Sequence, residues 1–427
     1  MELTGLFASI IFLVIFVLIV TEKFNKTVLA LLGASLFTLL KFLHDGKAFE
    51  HIDWEVIFIL VSMMIIVSIT QKTGIFQWAA IKLAKSVNAN PISIMIGMFL
   101  LTAVFSAFLD NVTTILLLVP ITILITVELG IDPVPFILVQ ALGSNIGGTA
   151  TLIGDPPNIM IGLAAGLDFL AFLVNLAPVV LIMMVVIGMV LFFVFSKRFR
   201  ITNERKARIM DMDENRAITN VGFMIRSLVI LGAVILGFIF HSWIEIPIFA
   251  IAMTGAALML AFETHDNLHH VLESVEWETI FFFVGLFIMV GGLVELGVIK
   301  TLSEAMLGLT GGNLFLTGNI ILWFSGLISG VVDNIPYVAT MIPLVKGIQG
   351  SIVNPSMVEP LWWALALGAC LGGNLTLVGS SANVVSVGLA KKSGYNISFM
   401  RFMKYGFGIG LLTLIISNIY LVLVLFR

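Results

Sequence analysis

Two Asp-Asn pairs interrupt long apolar stretches of this sequence. Asp110 and Asn111 form the first pair, and Asp333 and Asn334 form the second. Asp and Asn are favoured N-cap residues, so each pair predicts a hairpin tip at which a second helical leg begins. A carboxylate inside a bilayer costs about 2.5 kcal/mol or more, and one that is retained usually handles an ion or a proton. Asp110 and Asp333 are therefore candidate proton or cation carriers.

A second paired feature is a segment rich in glycine and oxygen-bearing residues, which breaks each of two apolar runs. One segment lies at 147–158 and the other at 372–383. The prolines at 156–157 cannot continue a hydrogen-bonded helix, and unwound backbone in a membrane is tolerated only where it is buried or lines a cavity. Free carbonyls and side-chain oxygens at such a break suit Na⁺. Asp155 adds a third carboxylate, where the second segment has Ser380.

The two features together predict one substrate- or ion-binding site near the middle of the membrane. Its predicted residues are Asp110, Asn111, Thr113, Thr114, Asn145, Thr149, Thr151, Gly154, Asp155, Asn158, Asp333, Asn334, Asn374, Thr376, Gly379, Ser380, Ser381 and Asn383. Within this set, Na⁺ could be bound by Asp110, Asn111 and Gly154, and by Asp333, Asn334 and Gly379. A cation and a proton compete for the same carboxylate, which suits a site that exchanges one for the other.

The composition indicates which elements hold this site. The chain has 427 residues and a formal net charge of −3; only 11% of its residues are charged, 59% are hydrophobic and the mean hydropathy is +1.13. So few charges could not cover a soluble surface, which excludes a cytosolic enzyme, a nucleic-acid binder and a disordered chain. An all-α polytopic membrane protein remains.

Apolar runs long enough to cross a bilayer recur along the chain. They lie near 5–20, 28–43, 55–70, 134–164, 171–196, 226–240, 247–262, 278–293, 361–390 and 405–426. Two more runs, 91–128 and 314–347, are broken at the Asp-Asn pairs and predict helical hairpins. The stretch 74–88, which carries Lys82 and Lys85, predicts a surface helix. Trp54, Trp277, Trp362 and Trp363 fall at predicted span ends, as in an interfacial aromatic belt.

The two halves of the chain repeat each other. An offset of 223 residues maps Asp110-Asn111 onto Asp333-Asn334, and an offset of 225 maps Asn158 onto Asn383. Several ordered matches at nearly one offset indicate a duplication. Each half has about five spans plus a hairpin, an odd number of crossings, which predicts inverted repeats of the kind found in secondary transporters. The predicted division is a first transmembrane repeat at 1–196, a linker at 197–225 and a second repeat at 226–427.

The positive charges orient this layout. With the linker inside, the inner loops hold 17 of the 22 basic residues and the outer loops hold five. The inner residues are Lys23, Lys26, Lys72, Lys82, Lys85, Lys197, Arg198, Arg200, Arg205, Lys206, Arg208, Arg216, Arg226, Lys391, Lys392, Arg401 and Lys404; the outer ones are Lys41, Lys47, Lys300, Lys346 and Arg427. Cytoplasmic loops carry such an excess. We therefore expect a cytoplasmic linker, both termini outside, and residence in the plasma (inner) membrane.

The motifs around the pairs and the breaks resemble the ion transporter superfamily. The similarity is to the branch of CitMHS-like permeases that contains ArsB-type arsenite permeases, NhaD-type Na⁺/H⁺ antiporters and the P protein group, and it is closest to the last. It is carried by the stretches 105–114, 145–158, 332–336 and 368–383. The resemblance implies an elevator transporter, a homodimer, in which the early spans of each half form a scaffold and the hairpins and broken helices move. Dicarboxylate carriers of the superfamily have Ser-Asn-Thr at the tips, and the Asp residues here should repel a dicarboxylate.

We therefore expect a cation-coupled secondary transporter of a small inorganic ion, with Na⁺/H⁺ exchange through Asp110 and Asp333 as the first choice. An arsenite, antimonite or other small-anion permease is the alternative, and a passive anion channel is a minor one. No cofactor is expected beyond Na⁺ or H⁺ as coupling ions, and a cytoplasmic ATPase would be a partner only of an arsenite pump. An intramembrane aspartyl protease is disfavoured because its Gly-x-Gly-Asp motif is absent at Asp155.

Overall fold

In the computed structural model, every regular element of the described residues is a helix. The described residues are 3–21, 23–44, 46–196, 198–199, 201–263, 268–352 and 355–426, with backbone only at Glu263, Pro355 and Ser356. Lys197, Arg200 and Arg427, which entered the count of basic residues, lie outside them.

The α-helices of the first half and the linker are α1 (Leu3–Val20), α2 (Lys26–Leu39), α3 (Trp54–Gln71), α4 (Ile75–Ser86), α5 (Pro91–Phe108), α6 (Asn111–Leu129), α7 (Val134–Gly148), α8 (Pro156–Ala165), α9 (Phe169–Asn175), α10 (Ala177–Phe195) and α11 (Asn203–Met210). Those of the second half are α12 (Val221–Ile244), α13 (Ile248–Glu263), α14 (Leu268–Glu273), α15 (Trp277–Glu295), α16 (Val298–Leu309), α17 (Leu314–Ser329), α18 (Asn334–Gly350), α19 (Glu359–Gly372), α20 (Ser381–Lys392) and α21 (Phe399–Tyr420).

Eight helical stretches among the described residues are long and apolar enough to cross a membrane, or nine if the bent pair α16 and α17 is one span. The eight are Leu3–Val20, Trp54–Gln71, Pro91–Phe108, Asn111–Leu129, Phe169–Phe195, Val221–Ile244, Trp277–Glu295 and Phe399–Leu425. Shorter apolar helices, among them α2, α7 and α13, lie between them. An all-helical, polytopic membrane protein is therefore confirmed.

Local capping chemistry produces the breaks that position the polar residues. Asp110 accepts a hydrogen bond from the backbone N–H of Thr113 at 2.8 Å and begins α6. Asp333 accepts one from the backbone N–H of Ile335 at 3.2 Å and begins α18. Pro156 occupies the first position of α8, where its missing N–H has no intrahelical partner to lose.

The helix starts recur along the chain. Asn111 and Asn334 begin α6 and α18, and Val134 and Glu359 begin α7 and α19. These spacings are the offsets of 223 and 225 residues seen in the motifs. They also pair α4 with α16, which the sequence patterns did not reveal. The inverted orientation of the two halves stays a prediction.

The helices pack in two groups. The first packing group consists of α1, α2, α3, α12, α13 and α15, in which α2 packs on α15 and α3 on α13. The second packing group consists of the hairpins and broken helices, α5 to α8 and α17 to α20. Inside it, α6 packs on α20 and α18 on α8, so each hairpin contacts the broken helix of the other half.

The linker is anchored to the first half by polar contacts. Glu214 bridges Lys85 at 2.6 Å and Lys82 at 3.0 Å, and these two ammonium groups lower the pKa of Glu214 to about 2. Arg205 donates to the carbonyls of Leu129 and Gly130 at the end of α6. The linker therefore holds α4 and the base of the first hairpin together.

Two of the four tryptophans predicted to form an aromatic belt do not fit that prediction. Trp54 and Trp277 are exposed, whereas Trp362 and Trp363 are buried. The prediction is wrong for the second pair because α19 lies inside the second packing group, in contact with α7, α8, α17 and α21. The indole N–H of Trp363 donates to Glu359 on the same helix at 3.1 Å.

Candidate functional site

The two hairpin tips and the first helix break enclose a cavity of about 50 Å³. Its polar lining consists of Lys26, Asp110, Asn111, Asp155, Glu276, Thr279, Asn334 and Ser381, and its apolar lining of Leu60, Met63, Met64, Val112, Ile153, Pro156, Ile159 and Ile335. The smallest cavity that holds one water has a volume of about 10–15 Å³, so this one accommodates a small ion with a few waters. We call it the ion cavity.

Asp155 is the most deeply buried carboxylate of the ion cavity. Its side chain is fully buried at the start of α8, and Oδ2 accepts a hydrogen bond from the Asn334 amide at 3.0 Å. Oδ1 makes no hydrogen bond of normal geometry among the described residues, and the Cys370 thiol lies beside the carboxyl group. Burying a charged oxygen without a partner is costly, so Oδ1 is available for a cation or a proton that enters the cavity.

Asp110, at the tip of the first hairpin, lines the same ion cavity as Asp155. Its Oδ1 caps α6 through the N–H of Thr113, and its backbone carbonyl accepts from the Thr114 hydroxyl at 3.0 Å. Asn111, beside it, is buried and its amide lies 3.4 Å from Asn145 Oδ1. One tip from each half therefore faces the ion cavity.

A buried amide network joins the two halves behind the ion cavity. The Asn145 amide on α7 donates to Asn374 at 2.9 Å and to Asn383 at 3.1 Å, and its carbonyl oxygen accepts from the Ser380 hydroxyl at 2.9 Å. All four residues are nearly or fully buried. The Thr149 hydroxyl donates to the backbone carbonyl of Asn145 at 2.8 Å and extends the network along the first break.

Each unwound break is held by an asparagine of the helix that follows it. The Asn158 amide lies within 3.3 Å of the carbonyls of Gly148, Thr149 and Thr151. The Asn383 amide binds the carbonyls of Gly373 and Thr376 at 2.8 and 3.0 Å. These asparagines satisfy carbonyls that the broken helices leave free, so their role in the structure is to hold the breaks open.

Thr151 and Thr376 attach each break to its own hairpin. The Thr151 hydroxyl donates to the carbonyl of Ala107, and the Thr376 hydroxyl donates to that of Gly330 at 2.5 Å. Gly154 and Gly379 lie so close to the hairpins that an added Cβ would come within 2.6 Å of the Ser106 carbonyl oxygen and 2.7 Å of the Ser329 carbonyl oxygen. These four residues fix the tips rather than line the ion cavity.

The structure thus divides the residues predicted from sequence. Five line the ion cavity: Asp110, Asn111, Asp155, Asn334 and Ser381. The others form the frame around it, except that Asp333 faces a second, larger pocket and bonds Lys26. Within the described part of the chain, His, Cys, Asp and Glu do not form a group of three that could hold a metal ion. A site for a monovalent cation, completed by amide and carbonyl oxygens, remains compatible with this geometry.

Two charged residues of the ion cavity escaped the sequence analysis. In the sequence, Lys26 counts only as a basic residue of an inner loop, and Glu276 has no predicted role. Lys26 begins α2 and Glu276 precedes α15, and the packing of these two helices brings both charges to the hairpin tips. A charge immediately before an apolar run was the available signal, but it did not distinguish a membrane surface from a cavity wall.

Replacing Asn145 with Ala should lower the stability of the protein. The change removes the Asn145 bond from the side-chain oxygens of Asn374 and Asn383 and from the Ser380 hydroxyl, each at a penalty of about 1–3 kcal/mol unless water enters. Thermal unfolding in detergent measures the effect. Asn175→Ala is the matched control, because the Asn175 amide makes one bond within its own helix turn, to the Ala171 carbonyl at 2.9 Å. Equal midpoints for the two variants would contradict the role assigned to the network.

Comparison with known proteins agrees with this architecture. A family model described as citrate transporter matches residues 16–368. The chain is 43% identical over 418 residues to the 46 kDa membrane protein of Mycobacterium leprae, with 97% of both chains covered, and 30% identical to an uncharacterized transporter of Synechocystis, with 100% and 98% covered. It is 29% identical to the P protein of Mus musculus, covering 96% of this chain and 59% of that protein.

The solved structure of the YdaH transporter of Alcanivorax borkumensis shares the fold. It aligns with a TM-score of 0.60 over 93% of this chain and 96% of that chain, at 13% identity. The extent of the family match shows what the chain is: a membrane transporter, not an enzyme, that belongs to the citrate transporter family of the ion transporter superfamily.

Proposed function

We propose that this protein is a cation-coupled secondary transporter that exchanges Na⁺ for H⁺ at the ion cavity. The observation that carries the proposal is the unpartnered, fully buried Oδ1 of Asp155, which lines the same small cavity as Asp110. A carboxylate oxygen in such a place takes either a proton or a cation, and the two compete. The amide oxygens of Asn111 and Asn334 are further ligands for Na⁺.

The charge of the ion cavity favours a cation over citrate. Asp110, Asp155 and Glu276 contribute three carboxyl groups to its wall, and Lys26 contributes one ammonium. A cavity of about 50 Å³ suits a small ion with a few waters better than a tricarboxylate. The family description therefore supports the transport of a solute, and the cavity narrows our proposal to a small inorganic one.

Asp110 and Asp155 are the carriers that this geometry supports best. Asp333, the second carrier expected from sequence, is ion-paired with Lys26 at 3.0 Å. Its charge is thereby compensated in this conformation, whereas Asp110 and Asp155 have no ion pair to a described residue. We assign the exchanged proton and Na⁺ to the latter two.

The two packing groups support an elevator motion. We assign the first packing group to the scaffold and the second to the moving part, since the second carries both hairpins and both breaks. The excess of basic residues on one side supports a cytoplasmic linker, both termini outside and residence in the inner membrane. The homodimer implied by the family resemblance is part of the same proposal.

Transport of arsenite or antimonite is the second candidate function. Arsenous acid is largely neutral at pH 7 and small enough for the ion cavity, and the amides of Asn111 and Asn334 would bind its oxygens. A passive channel is the third reading, in which ions would flow without coupling.

Reconstitution into liposomes separates these functions. With a pH-sensitive dye inside, an inward Na⁺ gradient should move protons outward, and an equal K⁺ gradient is the control for membrane potential. Absence of Na⁺-driven proton movement would overturn the proposal. Accumulation of arsenite would then favour the second candidate, and conductance without proton movement would favour the channel.

A further inference from the structure

Lys26 connects the two packing groups at the edge of the ion cavity. Its Nζ lies 3.0 Å from Asp333 Oδ2 and 3.4 Å from Ser381 Oγ, and Ser381 donates to the same Asp333 oxygen at 2.7 Å. Nζ also lies 5.4 Å from the ring centroid of Phe282. Lys26 begins α2 in the first packing group, whereas Asp333 and Ser381 belong to the second. A displacement of one group against the other that exceeds the reach of the lysine side chain would break this ion pair.

The Lys26 side chain lies between two spaces. On one side is the ion cavity of about 50 Å³ with Asp110 and Asp155. On the other is a pocket of about 310 Å³, lined by two carboxylates, Asp333 and Glu278 of α15, and by largely apolar side chains of α1, the second tip and α20. Among the described residues, Lys26 and Ser381 are the two that line both spaces. The Lys26 side chain therefore lies between the larger pocket and the ion cavity.

The two tips differ in this respect although their sequences correspond. Asp110 and Asp333 both cap the helices that follow them, α6 and α18. The position that corresponds to Lys26 in the second half, 223 residues later, is Phe249. The lysine is thus a feature of one tip, and the general chemistry of hairpin capping does not require it.

We propose that Lys26 is a tethered cation that closes the ion cavity toward the larger pocket, so that an ion reaches Asp110 and Asp155 only when the Lys26–Asp333 pair opens. The identity of the transported ion rests on the proposed function, but the closure does not. Lys26 acts as a positioning residue: it neutralises Asp333 and blocks the passage. A cation that enters the larger pocket is attracted to Asp333 and competes with the Lys26 ammonium for it. Entry of the ion is thereby linked to release of the lysine.

A thiol inside the ion cavity reports whether the passage is closed. Met63 lines the cavity, and Met63→Cys puts a thiol there. The probe is Ag⁺ in nitrate buffer, a thiol-binding monovalent cation small enough to enter. The fraction of unreacted thiol is measured with a maleimide after the purified protein is unfolded. The chain without the Met63→Cys change reports any reaction at Cys370, its only native cysteine, which is buried.

In the Met63→Cys background, Lys26→Ala should raise the rate at which Ag⁺ reacts with the introduced thiol by about tenfold or more. A change of this size lies between the effect expected for loss of an exposed ion pair and that expected for loss of a buried one. Lys26→Arg keeps the charge and the reach and should keep the slow rate. Lys23→Ala removes an exposed lysine three residues earlier and should change nothing. The double variant Lys26→Ala, Asp333→Asn avoids an unpaired, half-buried carboxylate and should react as fast as Lys26→Ala.

The outcomes separate the closure from the proposed function. Equal Ag⁺ rates in the parent, Lys26→Ala and double variants would overturn the closure, even if Na⁺-driven proton movement is found. Fast reaction in both alanine variants together with no Na⁺-driven proton movement in the wild-type protein would support the closure and reject Na⁺/H⁺ exchange.

Discussion

Replacing Asp110 with Asn is expected to abolish Na⁺-driven proton movement, down to the level of protein-free liposomes. Asparagine is as good an N-cap as aspartate, so the cap of α6 and the hairpin should survive. What is lost is the negative charge that attracts Na⁺ and the group that accepts a proton. Asp155→Asn should have the same effect, because it converts the unpartnered carboxylate oxygen of the ion cavity into part of a neutral amide.

The control for this experiment is Asp211→Asn, which removes an exposed carboxylate of the linker and should leave exchange intact. Thermal unfolding of each purified variant tests whether loss of exchange is loss of fold. Normal exchange in both Asp110→Asn and Asp155→Asn would remove the ion cavity from the mechanism.

Replacing Gly147 with Ala is expected to destabilise the protein strongly. An added Cβ would overlap the backbone carbonyl and Cα of Ala103, where α7 packs against α5. A backbone contact cannot move aside as a side chain can, so the two helices must separate, at a cost of about 1–3 kcal/mol or more. Helix propensity alone favours Ala over Gly by about 1 kcal/mol and would raise the unfolding midpoint. A lower midpoint would therefore come from the contact between α5 and α7.

Gly388→Ala is the matched control for this variant. Gly388 lies inside α20, and its added Cβ would have no heavy atom within 4 Å. Its unfolding midpoint should stay the same or rise. Gly372 is the corresponding residue of the second half, and its added Cβ would meet the backbone of Gly326. Gly372→Ala should therefore behave like Gly147→Ala. If Gly147→Ala and Gly388→Ala unfold at the same temperature, the close approach of α5 and α7 is not a requirement of the fold.

The local elements of the site were predictable from sequence because their signals are local. Asp110 and Asp333 cap the helices that follow them, and Pro156 begins α8. Each of these depends on contacts within a few residues along the chain. The repeat offset was equally visible, and the helix starts follow it.

The partners of these residues were not predictable, because they come from distant parts of the chain. Asn334 of the second tip bonds Asp155 of the first break, and Asn145 bonds Asn374 and Asn383 of the other half. Spacing along a sequence does not specify which hairpin faces which break. The burial of Trp362 was missed for the same reason, since α19 is covered by helices from both halves.

By itself, the sequence determined that this protein is a helical membrane transporter and which carboxylates lie at helix breaks, because hydropathy and capping depend on short stretches of residues. Only the tertiary structure decided how those carboxylates differ. Packing of α2 beside the second tip pairs Asp333 with Lys26, while Asp155 keeps an oxygen without a partner among the described residues. Whether a carboxylate has an ion-pair partner depends on its neighbours in space. Two Asp-Asn pairs that look equivalent in sequence therefore have different environments in the folded protein.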